Sequence, residues 1–430
     1  MIVEFSVKNF RSISDLQTIS FASTSLKSSK ANEQVDFNNI CDKDGINLLK
    51  TVGIYGANAS GKSNIIKALE YFCQAISDLP SPESRLSKLS QPFLYQNDYE
   101  NTESFFQIVL IVNDKKYRYG FTTKTNPLAK NNNDLSQEII VKEWLFGPKK
   151  MNQVKYFSRT NLVIDKTGMP KNEIIAPLIY EHTLFLTHAA SFNKDICARI
   201  RFHITGFIAS KYGIRNDFYR FHSIKQIEYN ALKPRFIAFL SSFGLEYTDI
   251  YFKKDEETSK KNNYPLDKLF LTKKACHNSS LTVTLNMEDN ESDGTKKLFD
   301  LAGLLIHAFN MPVSAMIILD EIDSNFHPSL LIKLINLFNN PEINKSNSQL
   351  LFTSHDTNLL DSSIMRRDQF YIAEKDINDG TKLFSLAELR GIRNDADFAK
   401  QYLAGFYGGR PLLTEFLNDN TEQNAGTLGN

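Results

Sequence analysis

A full match to the pattern G-x-x-x-x-G-K-[ST] occurs at Gly56-Ala57-Asn58-Ala59-Ser60-Gly61-Lys62-Ser63. An apolar run from Leu48 to Tyr55 precedes it and is typical of a buried strand. After it, apolar residues recur at three- and four-residue spacing, which predicts a helix with one buried face. These residues are Ile65, Ile66, Leu69, Phe72, Cys73 and Ile76. The order strand, glycine loop and helix predicts a phosphate-binding loop.

The residue types in this loop suit the chemistry of phosphate binding. Glycines let backbone N–H groups curl around phosphate oxygens, and the N-terminus of the helix adds the positive end of its dipole. Lys62 is predicted to reach the β- and γ-phosphates of a nucleotide, and the Ser63 hydroxyl to ligate Mg²⁺. A plain glycine turn before a helix is the structural alternative. This alternative is the weaker one, because the predicted strand before the loop and the predicted helix after it are also those of a phosphate-binding loop.

A second motif lies far along the chain, where Met316-Ile317-Ile318-Leu319 is followed by Asp320-Glu321. Four apolar residues predict a buried strand, and ligands bind at the carboxyl ends of strands in open α/β sheets. Asp320 is predicted to hold Mg²⁺ through water, and Glu321 to act as general base on the attacking water. Taken alone, such a pair is usually a solvated turn, but the presence of Lys62 reverses that preference.

A third motif, Phe352-Thr353-Ser354-His355-Asp356, again joins a strand end to a polar turn. A lone histidine is more often structural. Because His355 follows the next predicted strand after the Asp-Glu pair, we expect it to contact the γ-phosphate and to sense its presence.

Composition excludes several classes of protein. The 430 residues are 42% apolar and 12% aromatic, which is enough for a sizeable core and excludes wholesale disorder. Because 50 Lys and Arg balance 49 Asp and Glu, binding of nucleic acid through bulk positive charge is excluded. The four cysteines form no C-x-x-C pair, which argues against a disulfide framework or a cysteine zinc site. With no apolar stretch of membrane-spanning length and no signal peptide, we expect a cytoplasmic protein without membrane contact.

Other patterns predict the remaining architecture. Alternation over residues 3–8 predicts an amphipathic strand, and residues 104–122 a hairpin turning at Asn113-Asp114. Residues 139–157 suggest a second antiparallel pair around Gly147-Pro148, and residues 253–274 begin as a hydrophilic loop. Further strands are expected at 281–285, 315–319 and 349–353, and helices at 296–309 and from 328 onwards. A frayed tail is expected at 421–430.

The order of these motifs resembles the ABC-type ATPases of the SMC, RecF and OLD group. The opening Asn9-Phe10-Arg11-Ser12-Ile13 is similar to the first strand of that group, and Gly-x-Asn-x-Ser-Gly-Lys-Ser-Asn is its typical phosphate loop. The resemblance therefore implies ATP and Mg²⁺ as cofactors. The nucleotide-binding residues that it implies are Gly56, Asn58, Ala59, Ser60, Gly61, Lys62, Ser63 and Asn64.

The same resemblance implies residues that act between two subunits. A signature motif is expected at a helix N-terminus upstream of Asp320, and the segment 291–296 stands there, with Ser292 and Gly294 in the expected roles. It departs from the usual L-S-G-G-Q through Asp293 and Thr295, and a simple N-cap by Ser292 is the alternative. Asp323 matches the D-loop, which crosses to a partner subunit. Two heads would then sandwich two nucleotides, each signature completing the other site. Gln91 and Gln96 both stay open as the Q-loop glutamine.

We therefore predict an α/β fold of the P-loop NTPase, ABC-head type, with an antiparallel β lobe and an inserted helical region. The predicted division is residues 1–187 for the first part of the head, 188–245 for the insertion and 246–430 for the rest with a short tail. The insertion follows from the long separation of Lys62 and Asp320, and it mixes basic with aromatic residues over 197–235. That texture suits nucleic-acid binding, and equally helices packed on the head or on a partner protein. The basic residues are Arg199, Arg201, Lys211, Arg215, Arg220, Lys225, Lys233 and Arg235.

Within the group, a short head without coiled coil resembles the ATP-binding subunits of bacterial anti-phage systems of the PARIS or AbiL kind. Ser292 to Lys297, Thr353 to Asp356 with Leu359 to Asp361, and the late segment Tyr402 to Pro411 carry this resemblance. It implies an ATPase that acts as sensor or scaffold and whose nucleotide state controls a separate, nuclease-type effector. The alternatives are a RecF- or SMC-like DNA-binding ATPase in repair, and a scaffold that binds ATP and hardly turns it over.

Overall fold

The computed structural model describes residues 1–78, 91–96, 101–126, 138–149, 152–169, 180–192, 196–211, 217–229, 232–253, 268–275 and 278–410. The strands are β1 (Ile2–Lys8), β2 (Gln17–Ser20), β3 (Ile40–Lys43), β4 (Ile46–Leu49), β5 (Thr51–Tyr55), β6 (Ser104–Val112), β7 (Lys115–Thr125), β8 (Glu138–Lys149), β9 (Asn152–Thr160), β10 (Val163–Asp165), β11 (Ile208–Lys211), β12 (Asp249–Lys253), β13 (Lys268–Ala275), β14 (Asn278–Asn286), β15 (Met316–Leu319), β16 (Gln349–Thr353), β17 (Phe370–Lys375) and β18 (Thr381–Ser385). The helices are α1 (Gln34–Asn38), α2 (Lys62–Ser77), α3 (Phe185–Phe192), α4 (Ile196–Phe207), α5 (Asp217–Tyr229), α6 (Lys233–Ser242), α7 (Met287–Asn290), α8 (Asp293–Asn310), α9 (Pro328–Asn339) and α10 (Phe398–Leu403).

The central sheet has the strand order β11-β15-β16-β5-β17-β18. Its first five strands are parallel, and β18 closes one edge as the antiparallel partner of β17. Strand β16 lies between β15 and β5, with Phe352 opposite Leu319 and Thr353 opposite Ile54. Because the strands are parallel, the loops after β5, β15 and β16 leave the same edge of the sheet. The three sequence motifs follow these three strands.

Both faces of the central sheet are buried, which explains why its strands are continuously apolar. Along β15, Ile318 packs into one core cluster, and Ile317 and Leu319 into the other. Leu351 on β16 faces the first cluster in the same way, since successive side chains of a strand point to opposite faces. The first cluster includes α2 and the antiparallel lobe, and the second surrounds α8 and α9.

The predicted antiparallel lobe is a seven-stranded sheet of order β10-β9-β8-β7-β6-β1-β2. The hairpin predicted at Asn113-Asp114 is confirmed, and both residues have the left-handed φ of a tight hairpin turn, 50° and 53°. The second antiparallel pair is confirmed as β8 and β9, but the turn predicted at Gly147-Pro148 is wrong. Both residues lie inside β8, opposite Val154 and Gln153, and Gly147 leaves room for the ring of Tyr117.

The segment predicted as a helical insertion contains α4, α5 and α6 together with a strand that the sequence did not reveal. That strand, β11, pairs in parallel with β15, with Ile208 opposite Met316 and Lys211 opposite Leu319. Helix α5 packs on α8, as does α6. The region therefore contributes to the sheet and core of the head, and the three-part division at 187 and 245 stays a prediction.

Several expectations fall outside the described residues, among them most of the hydrophilic loop and the tail after Arg410. Cys41, Cys73 and Cys197 carry free thiols, and Cys276 is not among the described residues. Within the part of the chain that the structure describes, no helix combines the length and apolar character needed to cross a membrane.

Candidate nucleotide-binding site

The predicted phosphate loop joins β5 to α2 through a backbone that only certain residues tolerate. Gly56 and Gly61 have φ values of 153° and 101°, and Ala59 has 61°. A Cβ atom on Gly56 would overlap the carbonyl oxygen of Ala373 and lie 2.8 Å from Ser60 Oγ. Because glycine alone has no Cβ, the loop can curl this tightly. Asn58 and Ala59 are exposed at the tip of the loop.

Lys62 is the first residue of α2, and its ammonium group lies inside the curl of the loop. Nζ donates to the carbonyl oxygens of Gly56 and Ala57 at 2.8 and 2.9 Å, and the residue is 6% exposed. Burial lowers the pKa of Lys62 to about 8, while the charges of Asp320 and other nearby carboxylates oppose that shift. The loop thus presents a buried cation near a group of acids.

The loop and the strand motif meet at one carboxylate oxygen. The Ser63 hydroxyl donates to Asp320 Oδ1 at 3.2 Å, and the Thr353 hydroxyl donates to the same oxygen at 2.5 Å. Asp320 is 7% exposed. The structure therefore brings together the two residues predicted to hold the metal. It adds Thr353, which belongs to the third sequence motif but had no predicted role there.

These residues fit ATP with Mg²⁺. A serine hydroxyl and a carboxylate are hard oxygen donors of the kind that Mg²⁺ uses beside phosphate oxygens. Ser60 Oγ is buried without a hydrogen-bond partner among the described residues and lies close to Gly56 at the start of the loop, so its hydroxyl is available to donate to a phosphate oxygen. In the same ranges no group of three or more His, Cys, Asp and Glu side chains forms a separate metal site.

Glu321, the predicted general base, has an exposed side chain on a strained backbone. Its φ is 50°, in the left-handed region that a non-glycine residue rarely adopts. The Glu321 N–H donates to the hydroxyl of Thr353 at 2.7 Å, and the Ile322 N–H to the carbonyl of Thr353 at 3.0 Å. These bonds hold the turn in a conformation that it would not keep alone.

His355 and Asp323 contact each other within the chain. The backbone N–H of His355 donates to the carboxylate of Asp323, at 3.3 and 3.2 Å to its two oxygens. Burial, followed by the charge of Lys62, lowers the pKa of His355, while Asp323, Glu321 and Asp320 raise it. His355 is therefore mainly neutral at pH 7. The contact with Asp323 was not expected from the sequence, and the predicted role of Asp323 across an interface stays a prediction.

The predicted signature segment forms the start of α8. Ser292 caps the helix by accepting from the Thr295 N–H at 3.3 Å, as the N-cap alternative required. A Cβ on Gly294 would lie 2.7 Å from the carbonyl oxygen of Asn325, so the helix start packs closely on the turn after Glu321. The roles of Ser292 and Gly294 toward a partner's nucleotide stay predictions.

The opening motif supports the phosphate loop from the opposite side. Asn64 Nδ2 donates to Ser12 Oγ at 2.6 Å, and that hydroxyl is 2.7 Å from Thr381 Oγ1. Thr381 Oγ1 in turn donates to the carbonyl of Ser60 at 3.2 Å. Asn64 therefore acts on the loop through Ser12, a contact that the sequence did not predict.

The same motif also holds the two candidate glutamines. The Asn9 side-chain oxygen accepts from Gln96 Nε2 at 2.8 Å, whereas Gln91 accepts through its backbone carbonyl from the Arg11 N–H at 2.6 Å. Gln91 is exposed at its side chain. The side chain of Gln96 is thus hydrogen-bonded to Asn9, whereas the side chain of Gln91 faces solvent.

A late glycine segment also contacts the phosphate loop. The Ala57 N–H donates to the carbonyl of Gly409 at 2.7 Å, and the Tyr402 hydroxyl donates to the same oxygen at 3.0 Å. The Gly409 N–H donates to Glu374 at 3.3 Å. The sequence pattern Gly408-Gly409 was visible as a motif, but nothing in it indicated this contact.

Many basic side chains of residues 197–235 form hydrogen bonds or ion pairs with other residues of the same chain. Arg220 is 7% exposed and pairs with Asp300 and Glu288, and Tyr219 is buried beside it. Other contacts are Arg201 with the carbonyls of Ile76 and Ser77, Lys225 with Glu228, Lys233 with Asp249, and Arg235 with Asn310. These contacts favour the interpretation that the helices pack on the head. Arg215 and the side chain of Lys211 lie outside the described residues.

A parallel sheet with a phosphate-binding loop after one strand and an Asp-Glu pair after another, beside an antiparallel lobe, is the architecture of a P-loop ATPase of the ABC-head type. The chain belongs to the family described as "AAA domain, putative AbiEii toxin, Type IV TA system", whose model matches residues 52–361. This description agrees with the resemblance to ATPases linked to abortive infection.

Among solved structures, the chain is similar to SMC head domains. The head from Thermotoga maritima is 12% identical, with a TM-score of 0.41, covering 89% of this chain and 98% of that one. An SMC head bound to the C-winged helix domain of ScpA is 15% identical, with a TM-score of 0.42, and the match covers 89% of this chain and 97% of that one. A third structure is an SMC head domain with an extended coiled coil, bound to the C-terminal domain of ScpA derived from Pyrococcus furiosus. It is 13% identical, with a TM-score of 0.41, and the match covers 89% of this chain and 96% of that one. Similarity at this level assigns no activity. No curated protein matches the chain.

Proposed function

We propose that the chain binds ATP with Mg²⁺ at the loop Gly56–Ser63 and hydrolyses it. The observation that carries this proposal is the hydrogen bond of 3.2 Å between Ser63 Oγ and Asp320 Oδ1. In P-loop enzymes a loop hydroxyl and a strand-end carboxylate hold the metal ion, which neutralises charge on the phosphates. Both groups here lie next to the buried ammonium of Lys62.

Each side chain has a distinct task in the proposed reaction. Lys62 binds the phosphates, and Ser63 with Asp320 holds the metal. Glu321 takes the proton from the attacking water, because its carboxylate is exposed next to the metal carboxylate. His355, mainly neutral at pH 7, can donate one hydrogen bond to a γ-phosphate oxygen.

We further propose that two copies close head to tail over two nucleotides. In that arrangement Ser292 and Gly294 of one copy complete the site of the other, and Asp323 lies at the crossing. The N-terminus of α8 is exposed at Ser292 and Asp293, and the positive end of its dipole suits a phosphate group. The nucleotide state would then control binding or release of a separate nuclease-type effector. The family description, a putative toxin of a type IV system, supports a place in anti-phage defence.

The test is the mass in solution of the wild type and of Glu321→Gln with Mg-ATP, with and without short duplex DNA. We expect Glu321→Gln to bind ATP, hydrolyse it slowly and accumulate as a dimer that is indifferent to DNA. Unchanged turnover would remove Glu321 from the reaction. Assembly only with DNA would instead support the DNA-repair alternative. Lys62→Ala is the control, and a thermal shift by ATP that survives it would contradict the loop assignment.

A further inference from the structure

Thr353 lies where the strands of the two metal-binding residues meet. It ends β16, between β15 and β5, and is 0% exposed. Its hydroxyl donates to Asp320 Oδ1 at 2.5 Å and accepts from the Glu321 N–H at 2.7 Å. A hydroxyl has one hydrogen to donate, so the bond to Asp320 fixes its direction and leaves lone pairs for Glu321.

The backbone of Thr353 makes a third contact with the same turn. Its carbonyl accepts from the Ile322 N–H at 3.0 Å. Two consecutive peptide groups, those of Glu321 and Ile322, are thus bound to a single residue. Because Glu321 has a left-handed φ of 50°, its backbone needs such bonds to stay in place.

We infer that Thr353 is a positioning residue of the proposed ATPase reaction. Its hydroxyl sets the orientation of the Asp320 carboxylate toward Ser63 and the metal, and it sets the peptide from which the Glu321 side chain extends. One hydroxyl thereby aligns the metal ligand with the general base. This inference rests on the proposed function, because the alignment has a purpose only if the site hydrolyses a nucleotide.

The experiment compares Thr353→Val, which keeps the shape and removes the hydroxyl, with Thr353→Ser, which keeps the hydroxyl. Thr51→Val is a closely matched control. Thr51 is also a strand residue with 0% exposure, and its hydroxyl likewise makes two bonds, to Asn339 Oδ1 at 3.1 Å and from Gln369 Nε2 at 2.5 Å. These partners lie away from the phosphate loop and the metal-binding pair.

The readouts are ATPase rate against Mg²⁺ concentration, affinity for ATP without metal, and thermal unfolding. We expect Thr353→Val to raise the Mg²⁺ concentration for half-maximal rate and to lower kcat, each by about tenfold or more, as for other residues that orient metal ligands. Affinity for ATP without metal should be unchanged, because the phosphate loop is intact. Thr353→Ser should keep most of the activity, and Thr51→Val should lower the unfolding temperature without changing the metal dependence.

An unchanged Mg²⁺ dependence and kcat in Thr353→Val, or an equal change in Thr51→Val, would overturn the inference. If Thr353→Val does not fold, Thr353→Cys replaces it, since a thiol is a weak donor and should give a smaller shift in the same direction. If the wild type hydrolyses ATP and Thr353→Val keeps the same kcat and Mg²⁺ dependence, this inference alone is overturned. A wild type without hydrolysis would overturn the proposed function as well.

Discussion

The ammonium group of Lys297 donates a hydrogen bond of 2.8 Å to the carbonyl oxygen of Ser324. Lys297 belongs to α8, the helix that begins with the predicted signature, and Ser324 to the turn that follows Asp320. The same Nζ lies 3.4 and 3.5 Å from the carbonyls of Ile322 and Glu321, and 4.8 Å from the ring centre of Phe326. The turn that carries the proposed base is therefore held by α8 on one side and by Thr353 on the other.

Lys297→Met should release this turn on the side of α8. Lys297 is 4% exposed, and hydrogen bonds of a buried charged donor contribute about 1.5–3 kcal/mol, so the free energy of unfolding should fall by that amount. The ATPase kcat should fall as well, while ATP affinity is kept, because Lys297 bonds to the turn and not to the loop. Chemical denaturation and steady-state kinetics measure both.

Lys333→Met is the matched control for that variant. Lys333 on α9 also donates to a backbone carbonyl, that of Ser242, and its Nζ lies 5.2 Å from the ring centre of Phe243. Because its hydrogen bond is exposed, the Lys333 variant should lose less stability than Lys297→Met, and it should keep its kcat. Equal loss of kcat in both variants would contradict a specific effect of Lys297 on the turn.

ATP binding should weaken as pH rises above 8. The pKa of Lys62 is lowered to about 8, so the free protein loses this proton as pH rises through that value. A bound phosphate favours the ammonium form, and binding above pH 8 therefore takes up a proton. Affinity should fall by about tenfold per pH unit there and be flat below, as far as this group is concerned.

Calorimetric titration in buffers of different ionisation enthalpy measures the proton uptake directly. Lys62→Arg is the comparison, because a guanidinium stays charged throughout this range. If the wild type bound ATP equally well at pH 7 and pH 9.5 without proton uptake, Lys62 would not be the phosphate ligand with this pKa.

Gly294→Ala should disturb the turn from the helix start. The added methyl group would lie 2.7 Å from the carbonyl oxygen of Asn325, closer than van der Waals contact allows. Either the turn or the helix start must move, so we expect lower kcat with ATP affinity retained. Gly206→Ala on α4 is the control, since its nearest neighbour would be 3.7 Å away. Alanine there should be neutral or stabilise by about 0.5–1 kcal/mol.

Arg220→Met should destabilise the fold whether or not nucleic acid is bound. Its partner Asp300 is buried, with 1% of its side chain exposed, and losing one member of a buried pair costs about 3–5 kcal/mol. Lys225→Met removes an exposed pair with Glu228 and should cost less than about 1 kcal/mol. Denaturation curves of the two variants decide this. Equal, small effects would leave Arg220 available as a surface cation.

The phosphate loop, its flanking strand and helix, and the Asp-Glu and His motifs could be predicted from the sequence, because each depends on local patterns. A glycine loop between an apolar run and an amphipathic helix has few other structures available to it. The hairpin at Asn113-Asp114 was predictable for the same reason. The turn predicted at Gly147-Pro148 was wrong, because these residues pair with Val154 and Gln153 inside a strand. The ring of Tyr117 occupies the space that a side chain at position 147 would need.

Residue type and spacing alone were enough to predict which residues bind phosphate and metal, because these motifs are local in the sequence. The contacts that hold these residues in place became visible only in the folded chain. Thr353 on Asp320, Lys297 on Ser324, Ser12 on Asn64 and Gly409 on Ala57 join residues far apart in the chain. The physical reason is that a hydrogen bond between distant residues depends on which strands and helices become neighbours, and no local pattern encodes that. The edge strand β11 is the same case, because only its pairing with β15 makes it a strand.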